Sequence, residues 1–138
     1  MADRSLYREQ LTISARLVAR AADIDEWALV YQSRSGRPED SWLEPDVCDY
    51  LRRERAAGLE AVVVCPVGFV SDHIEVLYDL DREAAEVARE TGLAFARAEA
   101  VNDDPQFIDM MADVVIGTLE RYRGRALPIV HSALSIEH

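Results

Sequence analysis

The chain has 138 residues, of which 49% are hydrophobic and 30% are charged, values typical of a single soluble globular domain. Its charge is strongly acidic, because 15 basic residues, all of them arginine, stand against 26 acidic ones and give a net charge of −11. Such a chain repels phosphate backbones, so the composition argues against general electrostatic binding of nucleic acid.

The lack of recognisable targeting signals and the spacing of the two cysteines predict an ordinary cytoplasmic protein. No apolar run approaches the length of a transmembrane segment, and the first ten residues have none of the features of a signal peptide. Cys48 and Cys65 stand alone in unlike surroundings, which fits neither a zinc site nor a disulfide framework. We therefore expect two plain thiols in a cytoplasmic chain without a transmembrane segment.

Helical and strand patterns alternate along the chain. A hydrophobic period near 3.6 predicts helices, and short β-branched or aromatic runs bounded by Gly or Pro predict strands. In chain order, the sequence predicts a helix over 5–22, a strand over 26–32, a loop over 33–40, a helix from Pro45 to about Ala57, a strand over 59–66, a helix over 71–90, a strand over 93–97 and a helix from Pro105 to about 119.

This alternation predicts an α/β fold, a three-layer sandwich with a short parallel sheet. The run at 59–66 is continuously apolar rather than alternating, which is typical of a strand covered on both faces. A parallel α/β unit normally opens with a strand, so the leading strand of this one is missing. We predict a domain over 1–123 and a tail of unclear structure over 124–138.

Three helix ends carry recognisable signals. Gly58 is expected to end the second helix in a left-handed conformation, and the helix over 71–90 is expected to end before Gly92. Asp103 and Asp104 are candidate N-caps for the last helix, and Pro105 suits its first turn.

The loops after the strands are the candidate sites, because ligands of open α/β sheets bind beyond the carboxyl ends of the strands. Within the loop and helix after the Val run, Asp72, Glu75, Asp79 and Glu83 are spaced 3, 4 and 4 residues apart and share one helical stripe, with His73 beside them. Carboxylates with one imidazole suit a divalent cation. The alternative is a solvated acidic helix face that complements the helix dipole.

Other chemical signals are weak. His131 and His138 lie in the tail without a pattern, whereas Trp42 follows a loop where it could wall a flat apolar ligand. The chain contains no P-loop, GxGxxG, GxSxG or HExxH motif. Kinase, dehydrogenase and hydrolase functions therefore have no support in the sequence.

The sequence resembles the C-terminal half of ferrochelatases, particularly the actinobacterial type that metallates coproporphyrin. The resemblance covers about residues 6–120, and the string Gly-Phe-Val-Ser-Asp-His-Ile-Glu at 68–75 is its most specific part. The matching segments are Tyr7 to Gln10, Trp27 to Gly36, Trp42 to Asp46, Pro66 to Asp81 and Asn102 to Ile108.

The resemblance implies a chelatase-like fold and insertion of Fe²⁺, the metal substrate, into coproporphyrin III or protoporphyrin IX in haem biosynthesis, a lyase reaction. It implies that Glu75 and His73 are catalytic and that Glu75 contacts the metal. Asp79 and Glu83 would then hold a second divalent cation or conduct metal and protons. The porphyrin contacts implied are Ser33, Arg34, Trp42 and Phe69.

The resemblance also implies what this sequence lacks. Ferrochelatases have two similar halves around the porphyrin cleft, and both the N-terminal half and its catalytic histidine are absent here. The tail also lacks the cysteines that bind an iron–sulfur cluster in several relatives, so no cluster is expected in this chain. We expect the chain alone to be inactive. Two alternatives remain open: a small self-assembling chelatase of cobalamin or sirohaem synthesis, and a non-catalytic metal-binding remnant.

Overall fold

A computed structural model describes residues 4–32 and 43–123 of the chain. The chain divides into two units, Met1–Asn102 and Asp103–His138. No helix in the described ranges is long and apolar enough to cross a membrane. The elements are α1 (Arg4–Ala21), α2 (Val47–Ala56), β1 (Ala61–Val64), α3 (Ile74–Tyr78), a π-helical segment (Asp79–Ala84), α4 (Ala85–Thr91), β2 (Ala94–Arg97) and α5 (Pro105–Tyr122).

The sheet of the first unit is short and parallel, as predicted. β1 pairs with β2 in a register that sets Ala61 opposite Ala94 and Val64 opposite Arg97. The connection between the strands contains α3, the π-helical segment and α4. This helical crossover between parallel strands confirms the α/β class.

The predicted strand over 26–32 is wrong. Within the described residues its only ladder contact is an isolated parallel bridge between Tyr31 and Asp46. The Tyr31 amide donates to the Pro45 carbonyl at 2.9 Å, and the Val47 amide donates to the Tyr31 carbonyl at 2.9 Å. A strand needs a neighbouring backbone along its length, and here that neighbour turns into α2 after one bridge.

The core lies between α2, the α3–α4 region and one face of the sheet. Leu51 of α2, Val76 of α3 and Leu80 of the π-helical segment are its largest fully buried side chains. The opposite sheet face is open in the described part of the chain, where Val63 keeps 69% of its surface exposed. The apolar run therefore predicted the strand correctly, but the described residues of this unit cover one face rather than both.

The helix ends follow local chemistry. Asp46 caps α2 by accepting bonds from the amides of Cys48 and Asp49 at 2.8 and 3.1 Å, as N-cap carboxylates do. Gly92 ends α4 with a φ of 68°, and Gly58, just beyond α2, has a φ of 109°. Both values lie in the region that favours glycine.

The helices α3 and α5 also fit their sequence signals in part. α5, described by itself, begins at Pro105 behind the predicted cap Asp104, which accepts from the amides of Gln106 and Phe107. The helix predicted from residue 71 begins only at Ile74, because the backbone of its N-cap His73 is extended, with φ −137° and ψ 173°; the Asp72 amide just before it donates to the Asn102 side chain at 2.9 Å.

Candidate functional site

The loop after β1 brings the predicted catalytic residues to the carboxyl end of the sheet. It turns tightly, with the Val67 amide donating to the Cys65 carbonyl at 2.8 Å and the Phe69 amide donating to the Pro66 carbonyl at 3.0 Å. α3 then begins at Ile74, immediately after His73. This is the position at which open α/β sheets bind ligands.

His73 is the N-cap of α3. Its Nδ1 accepts a hydrogen bond from the Glu75 amide at 3.3 Å, and its ring meets Phe69 edge to face with centroids 4.5 Å apart. Because Nδ1 accepts, a neutral ring in this arrangement carries its proton on Nε2. His73 is therefore oriented by two contacts that leave Nε2 outside the cap.

Three carboxylates continue along the helix, as the spacing predicts. Glu75 and Glu83 are exposed, whereas Asp79 is half-buried. Burial raises the pKa of Asp79, and the negative charges of Glu83 and Glu75 raise it further, while His73 acts in the opposite direction. These effects on Asp79 place the four groups in one electrostatic environment.

The local backbone widens at this row. Asp79 and Glu83 belong to a six-residue π-helical segment, Asp79–Ala84, inside an otherwise α-helical stretch. Short π-helical segments are rare, and they occur often at functional sites. The sequence pattern predicted a continuous α-helix here and gave no sign of the change.

Metal-binding geometry is not preformed in the described residues. Within 4–32 and 43–123 no three His, Cys, Asp or Glu side chains are arranged so as to hold a metal ion. Glu75 and Glu83 are exposed at the surface, so their rotamers can change without disturbing the core. The predicted metal role of Glu75, Asp79 and Glu83 therefore depends on side-chain movement.

Asp72 belongs to a separate hydrogen-bond network and not to the acidic row. Its carboxylate accepts from Nη1 of Arg97 at 3.0 Å and from Nδ2 of Asn102 at 3.1 Å. The spacing analysis grouped Asp72 with the three later carboxylates, but these bonds offset its charge. The arginine lies 25 residues away in sequence, too far for helical spacing to reveal the pair.

The N-terminus of α2 also borders the acidic row, which sequence reasoning missed. Asp46 contributes to the raised pKa of Asp79. Burial, followed by the charge of Asp46, raises the pKa of Cys48 to about 11, and Glu83 adds to the effect. The sequence predicted a helix from Pro45, but it indicated neither the capping role of Asp46 nor its place near Asp79.

The predicted porphyrin contacts divide into two groups. Ser33, Arg34 and Trp42 lie outside the described residues, as do His131, His138 and the tail. Phe69 is half-buried, packs against the hydrophobic core and contacts His73. In this structure Phe69 thus supports the His73 ring.

The candidate site therefore consists of a histidine N-cap and a row of carboxylates that follow a parallel strand of an α/β unit. The sequence model of the ferrochelatase family matches residues 1–119. Because that match covers most of the chain, the protein belongs to the ferrochelatase family.

Individual relatives support the same assignment. The chain is 52% identical over 116 residues to a ferrochelatase of Rhodopirellula baltica, covering 83% of this chain and 33% of the relative. It is 53% identical over 110 residues to a coproporphyrin III ferrochelatase of Mycolicibacterium smegmatis, covering 80% of this chain and 32% of the relative. A coproporphyrin III ferrochelatase of Streptomyces coelicolor is 46% identical over 142 residues, covering 99% of this chain and 38% of the relative.

These alignments cover most of this chain but only part of each relative. The chain spans about a third of the length of these relatives, and the match falls in their C-terminal part. What the complete relatives do as enzymes therefore applies to this chain only as a proposal.

Proposed function

We propose that this chain is the C-terminal part of a ferrochelatase that inserts Fe²⁺ into a porphyrin, with coproporphyrin III as the substrate. The observation that carries the proposal is the row of Glu75, Asp79 and Glu83 behind the His73 cap, in a chain of the ferrochelatase family. The names of the actinobacterial relatives favour coproporphyrin III over protoporphyrin IX.

The reaction needs proton acceptors beside the ring. Fe²⁺ replaces two pyrrole N–H protons, so two protons must leave the macrocycle while the metal loses its bound water. Glu75 is exposed at the start of α3, where its carboxylate can accept a pyrrole proton or bind the incoming iron. Glu75 can take the two protons one after the other and pass the first along the row to Asp79, while His73 next to it presents its Nε2–H as a hydrogen-bond donor. General acid–base groups of this kind accelerate reactions by about 10²–10⁴-fold.

Asp79 and Glu83 are proposed to form a path for protons that leads away from Glu75. The raised pKa of Asp79 makes this carboxylate a better proton acceptor than an ordinary aspartate. Protons taken from the ring can therefore pass along the row toward solvent. Carboxylate oxygens also suit hard divalent cations, so the same row is our candidate for a second cation.

The remaining contacts belong to the macrocycle. Ser33, Arg34 and Trp42 are proposed to meet the porphyrin along with Phe69. Through its edge contact with His73, Phe69 would couple the position of a bound porphyrin to the orientation of the imidazole. A flat apolar macrocycle matches aromatic side chains of this kind.

A second wall is needed to enclose the porphyrin. Since the chain spans about a third of its relatives, we propose that an N-terminal half, supplied as a separate chain or as part of the same polypeptide, completes the cleft. That half would also bring the histidine that the resemblance places ahead of this segment.

Reconstitution tests the function. We would measure iron insertion into coproporphyrin III by this chain alone, by the preceding part of the Mycolicibacterium smegmatis relative alone, and by both together. Turnover is expected only in the mixture. Robust turnover by this chain alone would contradict the proposal and favour a self-assembling chelatase.

Glu75→Gln separates the chemistry from folding, because it keeps the shape and removes the charge. It should lower turnover of the mixture by about 10²–10⁴-fold. Glu90→Gln, an exposed position in α4, is the matched control and should keep parental turnover. Near-parental turnover by a folded Glu75→Gln protein would remove Glu75 from the mechanism.

A further inference from the structure

Arg97, the last residue of β2, joins two segments of the loop and helix that carry the proposed catalytic groups. Its Nε and Nη2 donate to the two carboxylate oxygens of Asp81 at 2.5 and 3.1 Å. Its Nη1 donates to Asp72 at 3.0 Å and to the Ala98 carbonyl at 3.2 Å. The Arg97 side chain is only 13% exposed, and its partners Asp72 and Asp81 are 25% and 37% exposed, so the bond to Asp72 is better shielded from water than the bonds to Asp81.

Asn102 completes the attachment of Asp72. The Asp72 amide donates to Oδ1 of Asn102 at 2.9 Å, and Nδ2 of Asn102 donates back to the Asp72 carboxylate at 3.1 Å. The Asn102 amide also donates to the Val70 carbonyl at 2.9 Å. The backbone amide and both carboxylate oxygens of Asp72 are therefore fixed from the β2 side.

The two carboxylates held by Arg97 bracket the proposed site. His73, Glu75 and Asp79 all lie between Asp72 and Asp81 in the sequence. Glu75 itself is exposed and has little packing of its own to fix it. The position of its backbone therefore depends on how firmly the two ends of this stretch are held.

We propose that Arg97 is a positioning residue for iron insertion: its guanidinium holds Asp72 and Asp81 and so fixes the geometry of the segment that carries His73 and Glu75. This inference rests on the proposed ferrochelatase function for its catalytic consequence. Small displacements of catalytic groups can cost about 10²-fold in rate, so a clamp outside the reacting groups can control turnover.

The geometry requires arginine rather than any cation. Four N–H groups of Arg97 are engaged by three acceptor groups in different directions. A planar guanidinium can meet such a set, whereas a lysine ammonium is a single point charge on a flexible stem. Arg97→Lys thus keeps the positive charge between the two carboxylates and removes the planar set of N–H donors.

The test compares Arg97→Lys with the parent and with Arg89→Lys, a control at an exposed arginine that pairs with Glu86 in α4. In the reconstituted enzyme we expect Arg97→Lys to lower kcat at least 10-fold with KM for coproporphyrin III changed less than about 3-fold. In this chain alone, hydrogen exchange of the Asp72 and Glu75 amides should accelerate at least 10-fold, while exchange in α2 stays parental.

Each outcome decides the matter. Parental kcat and parental exchange in Arg97→Lys would overturn the positioning role, and so would a loss of kcat accompanied by equal acceleration of exchange in α2, which indicates general destabilisation. If the parent mixture shows no turnover, the proposed function fails, and the exchange measurement alone decides whether Arg97 fixes the segment. If Glu75→Gln abolishes turnover while Arg97→Lys retains it, only the positioning inference fails.

Discussion

The rings of Phe69 and His73 meet edge to face, with centroids 4.5 Å apart and planes inclined by 65°. Phe69 is also packed against the hydrophobic core, so it connects the core to the imidazole that caps α3. The orientation of the proposed catalytic imidazole is thus determined partly by an apolar side chain four residues earlier.

Phe69→Leu should disturb His73 without unfolding the chain. Loss of the aromatic pair is expected to cost about 0.5–1.5 kcal/mol beyond the change in buried area. NMR of the His73 ring protons should show the loss of the Phe69 ring current, and urea denaturation gives the free energy. Phe95→Leu, which also changes a half-buried aromatic side chain next to the core, should leave the His73 signals in place.

Asp79 should make stability fall as the pH rises. Its pKa is raised in the folded chain, first by burial and then by Glu83 and Glu75, so the folded state holds the proton more tightly than the unfolded state. The stabilising contribution is present below the unfolded pKa and is lost as the pH rises through the folded pKa.

Asp79→Asn should therefore become more stable relative to the parent between about pH 4 and pH 7. The gain is expected to be a few tenths of a kcal/mol for each like-charged neighbour relieved, measured by urea denaturation across that range. Asp113→Asn, at an exposed position of α5, shows the effect of removing any one negative charge. A pH-independent difference between Asp79→Asn and the parent would contradict the assignment.

The two thiols should react at very different rates. The pKa of Cys48 is raised to about 11 by burial and by Asp46, so almost none of it is thiolate at neutral pH, and the thiolate is the reactive form. Cys65 is exposed. Treatment with iodoacetamide at pH 7.5, followed by peptide mass spectrometry, should show that Cys65 is labelled first. Equal labelling of Cys48 in the folded chain would contradict the raised pKa assigned to this thiol.

The carboxylate row should bind divalent metal weakly in this chain. Calorimetric titration with Co²⁺ or Zn²⁺ is expected to show binding, and binding to the folded form raises the melting temperature through mass action. Because the described side chains are not arranged in advance to hold a metal, the affinity should be low. Asp79→Asn/Glu83→Gln should lose the response; an equal response in parent and variant would mean that the row is only a charged surface.

The sequence by itself determined those features that depend on near neighbours. The helical spacing of Glu75, Asp79 and Glu83 placed them in one row, and Asp104 and Gly92 marked helix ends, because periodicity and capping act over three or four residues. β1 and β2 were likewise predicted from short apolar runs between turn residues.

Only the tertiary structure decided the features that depend on distant partners. Asp72 left the row because Arg97, 25 residues later, binds it, and Asn102, 30 residues later, accepts from the Asp72 amide just before the extended N-cap His73. The segment at 26–32 had the composition of a strand but found one bridging partner, Asp46. Strand pairing and ion pairing of this kind depend on which backbones and charges come together in space, and residue spacing along the sequence does not reveal these contacts.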